Sequence, residues 1–153
     1  MTFVEPTTRA MTGAVPYANW PMRAAGYIID YLIVAVPVSI GQVIEWGTEN
    51  DDGTMSAGGI VGVAVFGAIA FVVWLYNRVF RSGRTGQSWG RSVLGTTCVG
   101  IETGRPIGPL KAFLRDLCHI LDTLACYIGW LFPIWDAKRQ TFADKIMSTV
   151  VVR

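Results

Sequence analysis

A chain of 153 residues is long enough for one domain, but 52% hydrophobic and 16% charged residues set it apart from soluble globular domains, where roughly a quarter of residues are charged. The net charge of +2 is small and gathers in no basic domain, which excludes a nucleic-acid-binding module. Cys98, Cys118 and Cys126 form an odd set without CxxC spacing. Neither a disulfide framework nor structural zinc is expected, and they read as free thiols.

Residues 1–19 are polar and hold no apolar core of the kind a signal peptide needs. They predict a flexible cytoplasmic N-terminus ahead of a single membrane domain over residues 20–153. From Met22 to Ile44 the chain is apolar apart from Arg23 at its start and Asp30 inside, and about 20 such residues cross a bilayer as a helix. This is the first expected span, 22–44.

The acidic turn that follows, with Glu45, Glu49, Asp51 and Asp52, carries no basic residue and belongs outside. From Ala57 to Tyr76 no charge occurs, and the second span is expected over about 57–77 with Trp74 and Tyr76 near the headgroups. Gly58 and Gly62, with Ala64 and Ala68, offer small-residue pairs for close helix packing, within the chain or between copies.

Residues 77–115 carry Arg78, Arg81, Arg84, Arg91, Arg105, Lys111 and Arg115 against Glu102, so the positive-inside rule assigns this loop to the cytoplasm, and Arg9 and Arg23 assign the N-terminus there too. Within it GRTGQSWGRSVLG predicts a short surface helix, and TTCVGIE a strand. GRTGQSWG lacks the Lys and Ser or Thr of a phosphate loop, so turn chemistry accounts for its glycines.

Pro109 suits the first turn of a helix, but the third apolar segment, about 112–135, is interrupted by Arg115, Asp116, His119, Asp122, Gly129 and Pro133. Arg115, His119, Asp122 and Cys126 fall on one helical stripe that should face protein or water, with Phe113, Leu117, Ile120, Leu121 and Leu124 elsewhere. His119 with Asp122 could relay a proton or bind a metal. One histidine beside scattered carboxylates is better explained by interface hydrogen bonding, and no metal or cofactor is assigned.

The basic tail ends in TVVVR, a strand-like run that could pair with TTCVGIE near Thr97–Glu102 only if loop and tail share one side. The expectation is therefore a tail inside and a third segment that enters and returns, broken near Tyr127 to Gly129, rather than three full spans with an external tail. The fold class is membrane, all-α: two clear transmembrane helices, a third polar, broken or re-entrant segment, and a small cytoplasmic β element.

Asp30 matters most among the ionisable residues, since a carboxylate at such depth costs on the order of 2.5–3.5 kcal/mol on insertion scales and needs a partner or a purpose. Arg23, seven residues earlier, lies on the same helical face and is its expected counter-charge. Asp144, on an inner tail, is expected to meet Arg23 or Arg115 at the cytoplasmic mouth.

These residues resemble the RDD family of small bacterial membrane proteins, named for one arginine and two aspartates. The resemblance covers nearly the whole chain after Asn19. The family arginine is matched by Arg23, the first aspartate by Asp30, and the second by Asp144 in RQTFADKIMSTVVV; GRTGQSWGRSVLGTTCVGIET and Arg115 are similar to further family features. It implies a multi-pass protein of the cytoplasmic membrane, of loosely defined role, with transport the usual suggestion.

Two functions follow as expectations. One is transport of a small solute or ion, with Asp30 as the intramembrane ionisable site and, given two or three spans, a homo-oligomer in the lipid bilayer. The other is a non-catalytic accessory or scaffolding subunit of a larger membrane complex, in which Arg23, Asp30 and Asp144 only fix the fold, with Arg115, His119 and Asp122 as a secondary polar cluster. No nucleophile sits with a base at helical spacing unless His119 recruits Cys118 or Cys126, so an enzyme is not expected.

Overall fold

The computed structural model describes residues 16–153. Most of the expected N-terminal segment, residues 1–15 with Arg9, lies outside the described residues. The first helix, α1 (Trp20–Gly47), starts where the Asn19 side chain accepts a hydrogen bond from the Met22 amide and Pro21 occupies the first turn. Its 28 residues extend about 42 Å, beyond the hydrocarbon thickness of a bilayer.

A hydrogen-bonded turn through Asn50, Asp52 and Thr54 returns the chain to α2 (Ala57–Trp74), capped by Ser56. The helix runs on through a π-helical stretch, Leu75–Arg81, into α3 (Ser82–Thr85), making 29 residues in one rod. Both rods are long and apolar enough to cross a membrane. They pack on each other through small residues: Gly41 lies against the Gly62 carbonyl, and Gly62 against Ile44. Gly62 of the glycine pair is thus consumed within the chain.

A short helix α4 (Trp89–Val93), begun by a Ser88 cap, leads to β1 (Thr97–Gly100). The expected surface helix is in fact packed, because Gly90 is buried against α1 at Gly26. Next comes α5 (Pro109–Leu124), whose buried residues Ala112, Arg115, His119 and Asp122 recur at helical spacing while Leu110, Leu114, Leu117, Leu121 and Leu124 stay exposed. Cys126 leaves the expected stripe: the helix has ended, Cys126 and Tyr127 adopt left-handed backbone, and the thiol is exposed.

That reversal bends α5 by 108° into α6 (Ile128–Leu131) and a 3₁₀ turn at Phe132–Ile134. The break falls at 125–127, slightly ahead of the Tyr127 to Gly129 expected. The third segment is therefore no straight rod. The chain closes with α7 (Phe142–Ile146) and β2 (Thr149–Val152).

β1 and β2 pair antiparallel, Thr97 opposite Val152 and Gly100 opposite Thr149, as the β-branched runs predicted. Ala18 donates to the Val151 carbonyl at 2.9 Å, and Arg153 to that of Pro16, so the entry of α1, the central loop and the tail meet at one end of the helical hairpin. A tail on the opposite side of a membrane from the loop is incompatible with this pairing.

The distribution of polarity is inverted relative to a soluble domain. Among the described residues the buried apolar ones are few and mostly small, Ala18, Ala70, Ala112, Ala143 and several valines, whereas thirteen buried residues are polar or charged and Tyr31, Val36, Val43, Trp46, Ile60, Phe71 and Val72 are exposed. The two rods place their apolar side chains outward and gather polarity at their shared end.

Candidate functional site

Among the described residues, three buried carboxylates organise the polar end. Asp144 sits in a capping box: its Oδ2 accepts from the Thr141 amide, while Thr141 Oγ1 accepts from the Asp144 amide, each at 3.2 Å. The same carboxylate pairs with Arg23 through Oδ2 and with Arg115 through Oδ1, at 2.6 Å to Nη2, and also takes the Thr149 hydroxyl at 3.0 Å. One buried anion thereby ties α1, α5, α7 and β2. Both arginines named from the sequence converge on it.

Burial alone would raise the Asp144 pKa, but the flanking Arg115 and Arg23 guanidinium groups outweigh it and hold the carboxyl well below the usual carboxylate range. Arg23 Nη1 is further fixed by the Arg139 carbonyl at 2.8 Å, where Arg139 itself holds a left-handed backbone.

Asp30, ten residues or about 15 Å into α1, is fully enclosed. Its partner is not Arg23, as the spacing suggested. Asn77 Nδ2 and the Gly90 amide both donate to Oδ1 at 2.8 Å, and Arg78 Nη1 lies 3.3 Å from Oδ2. Arg78 turns its other face to Asp116 in a two-pronged contact, 2.9 and 2.8 Å, and stands 4.9 Å over the Tyr27 ring. The same-face rule fails here because seven residues along a helix separate two side chains by about 10 Å, too far for direct contact.

Asn77 and Arg78, together with Asp116, were not singled out from the sequence. The π-helical stretch swings both Asn77 and Arg78 onto the inner face, and Asn77 Oδ1 in turn accepts from the Trp89 amide at 2.8 Å. A buried Asp in need of a donor and an arginine-rich loop were the available signals.

The third carboxylate, Asp122, accepts from His119 Nδ1 at 2.6 Å and from the Phe142 amide at 3.0 Å. His119 stacks on Trp130, ring centres 4.5 Å apart, and Trp130 meets the Tyr27 ring edge to face. Gly129 is obligatory in this corner, since a side chain there would overlap Asp122. The hydrogen bonding expected of His119 and Asp122 is present.

Two adjoining cavities open along these groups. The larger, about 370 Å³, is walled by Trp20, Arg23, Tyr27, Asp30, Arg78, Arg91, Arg115, His119, Tyr127 and Trp130 among others. A smaller one of about 160 Å³ continues towards Tyr31, Val34 and Trp74, farther along the hairpin. Tyr27, Asp30, Arg78 and His119 line both.

The chain is 41% identical over 126 residues to a proline-rich antigen homolog of Mycobacterium tuberculosis, covering 82% of this chain and 45% of that protein. It is 36% identical over 153 residues to the proline-rich antigen of Mycobacterium leprae, covering 88% of this chain and 60% of that one. The chain thus spans about half the length of the curated relatives it matches. No solved structure matches it. The RDD family profile matches residues 17–148, a range that takes in Arg23, Asp30 and Asp144 and their partners other than Thr149, and the chain belongs to the RDD family.

Proposed function

We propose that the protein is a multi-pass, non-enzymatic protein of the cytoplasmic membrane that moves a small solute or ion. In this reading α1 and α2 span the bilayer, the N-terminus, central loop and tail lie in the cytoplasm, and the bent α5 and α6 segment enters and returns. The larger cavity is the cytoplasmic chamber and Asp30 the intramembrane ionisable group at its inner wall. The carrying observation is that two cavities adjoin at the Asp30 and Arg78 pair, one at the polar end and one farther along the hairpin.

Irregular backbone at membrane depth is tolerated where protein or a water-filled cavity covers it, and the bend at 125–127 lies beside the larger cavity, which Tyr127 lines. Two long helices do not enclose a pathway by themselves, so the transporting unit is a homo-oligomer or a subunit of a larger membrane complex.

A second reading, a static accessory subunit, is favoured by one observation: among the described residues, every buried side-chain nitrogen and oxygen already has a hydrogen-bond partner. Flux separates the two. The purified protein in liposomes should increase solute or proton movement over protein-free vesicles, and Asp30→Asn, which keeps the shape and removes the charge, should abolish most of the increase. Equal leak from protein-free, wild-type and Asp30→Asn vesicles would leave the accessory reading.

A further inference from the structure

One cation of the cluster has no acid of its own. Arg23 and Arg115 share Asp144, and Arg78 is divided between Asp116 and Asp30. Among the described residues no carboxylate lies within ion-pair distance of Arg91, whose Nη1 donates to the Ser82 hydroxyl at 2.7 Å. Asp122 does not line the cavity and is already engaged by His119 and Phe142.

Arg91 nevertheless forms part of the wall of the larger cavity, where four arginines face a single aspartate, Asp30, whose oxygens are occupied. Burial, and then the neighbouring Arg115 guanidinium, pull the Arg91 pKa down to about 10, and Asp116 opposes this only weakly. A partly buried cation without a counter-charge is costly, and an anion entering the cavity removes that cost. Part of the remaining wall is aromatic, with Tyr27 and Trp130 packed together. Its volume of about 370 Å³ suits a small molecule rather than a bare ion.

We propose that Arg91 is the recognition residue of an anion site in this cavity, which takes a small organic anion: its carboxylate meets the Arg91 guanidinium, and its apolar body lies against Tyr27 and Trp130. The proposal rests on the cavity being the binding chamber of the preceding section and supplies the charge class of its ligand. Guanidinium and carboxylate match in a planar two-pronged contact, which a neutral isostere of the same shape cannot make.

Sodium benzoate is the probe, with benzamide as its neutral isostere, titrated into the full chain in phosphatidylcholine nanodiscs and followed by calorimetry and tryptophan fluorescence. Benzoate should saturate a single site and benzamide should bind about tenfold more weakly or worse. Arg91→Gln should lose benzoate binding by a similar factor, with Arg91→Lys retaining part of it. Should Arg91→Gln fail to fold, Ala24→Leu, which fills the cavity from α1 and leaves every charge in place, should block benzoate instead.

Nanodiscs containing phosphatidylglycerol identify the source of the anion. Competition with benzoate would support the site and assign its natural occupant to a lipid headgroup; no competition would support a free solute. Absence of benzoate binding, equal binding of benzamide, or wild-type binding by a folded Arg91→Gln would each overturn the proposal. Benzoate binding without flux removes transport and leaves the anion site. Flux without benzoate binding does the reverse.

Discussion

Asp144→Ala is expected to remove the protein from the membrane fraction. The substitution leaves a buried Arg115 and a largely buried Arg23 at the same point with no acid between them, and breaking one buried pair typically costs about 3–5 kcal/mol, a large share of a domain's stability. It also deletes half of the α7 capping box and the Thr149 contact that leads into β2. Asp144→Asn, which keeps the shape, should be nearly as damaging, because what is lost is the charge. In the double variant Asp144→Arg with Arg115→Asp, abundance should recover in part if Arg115 is the stronger partner, and the Arg23→Asp combination measures the other contact.

The pH dependence follows from the sign of the shift. The folded Asp144 carboxyl titrates well below the usual range, while an unfolded chain returns it to about 3.9, so the pair's stabilisation is complete above the unfolded value and lost as pH falls through the folded one. Thermal unfolding in detergent should therefore show the full Asp144 contribution, unchanged with pH, between about pH 6 and pH 8. The gap between wild type and Asp144→Asn should narrow only on strong acidification. A gap that closes near neutrality would contradict the assignment.

Gly90→Ala is expected to be, with Gly83→Ala and Gly129→Ala, among the most damaging single-methyl changes in the helical contacts of the described residues. A Cβ at that position would overlap the Gly26 carbonyl oxygen of α1 and stand 3.1 Å from the Asp30 carboxyl carbon, so a rigid backbone, not a flexible side chain, is in the way. Separating α4 from α1 also breaks the Gly90 amide contact to Asp30. The cost should reach or exceed the upper end of the about 1–3 kcal/mol typical of overpacking. Gly26→Ala is the control on the facing helix: its nearest neighbours would lie at 3.5 and 3.6 Å, ordinary contact, so that variant should express and melt like wild type. Equal behaviour of the two would refute the close approach of α4 to α1.

Much of the frame was legible in the sequence because its signals are local or additive. Two apolar stretches announce two long helices, and the β-branched runs at 97–102 and 149–152 announce each other once the tail is held inside. Placing the tail by its charges also brought Asp144 to Arg23 and Arg115. The site's wiring was less accessible. Asp30 needed a donor, but whether it came from Arg23 at a visible spacing or from Arg78, forty-eight residues away, depends on how the π-helical stretch rotates Asn77 and Arg78 inward. Periodicity assumes a regular helix and misses that rotation. Arg91 stayed anonymous for a related reason, since a loop arginine gains meaning only from the acid it lacks once the chain is folded.

Topology is the claim on which the rest depends, and side-specific labelling tests it most directly. Cys98→Ala, Cys118→Ser and Cys126→Ser give a background without thiols, into which single cysteines are placed at the exposed positions Asp51, Glu102 and Arg153. With a maleimide that does not cross membranes, the cysteine at position 51 should react in intact cells, whereas those at 102 and 153 should react only in inverted vesicles. Reaction of position 153 in intact cells, or of 51 and 102 from the same side, would contradict the two-span fold with its polar end in the cytoplasm.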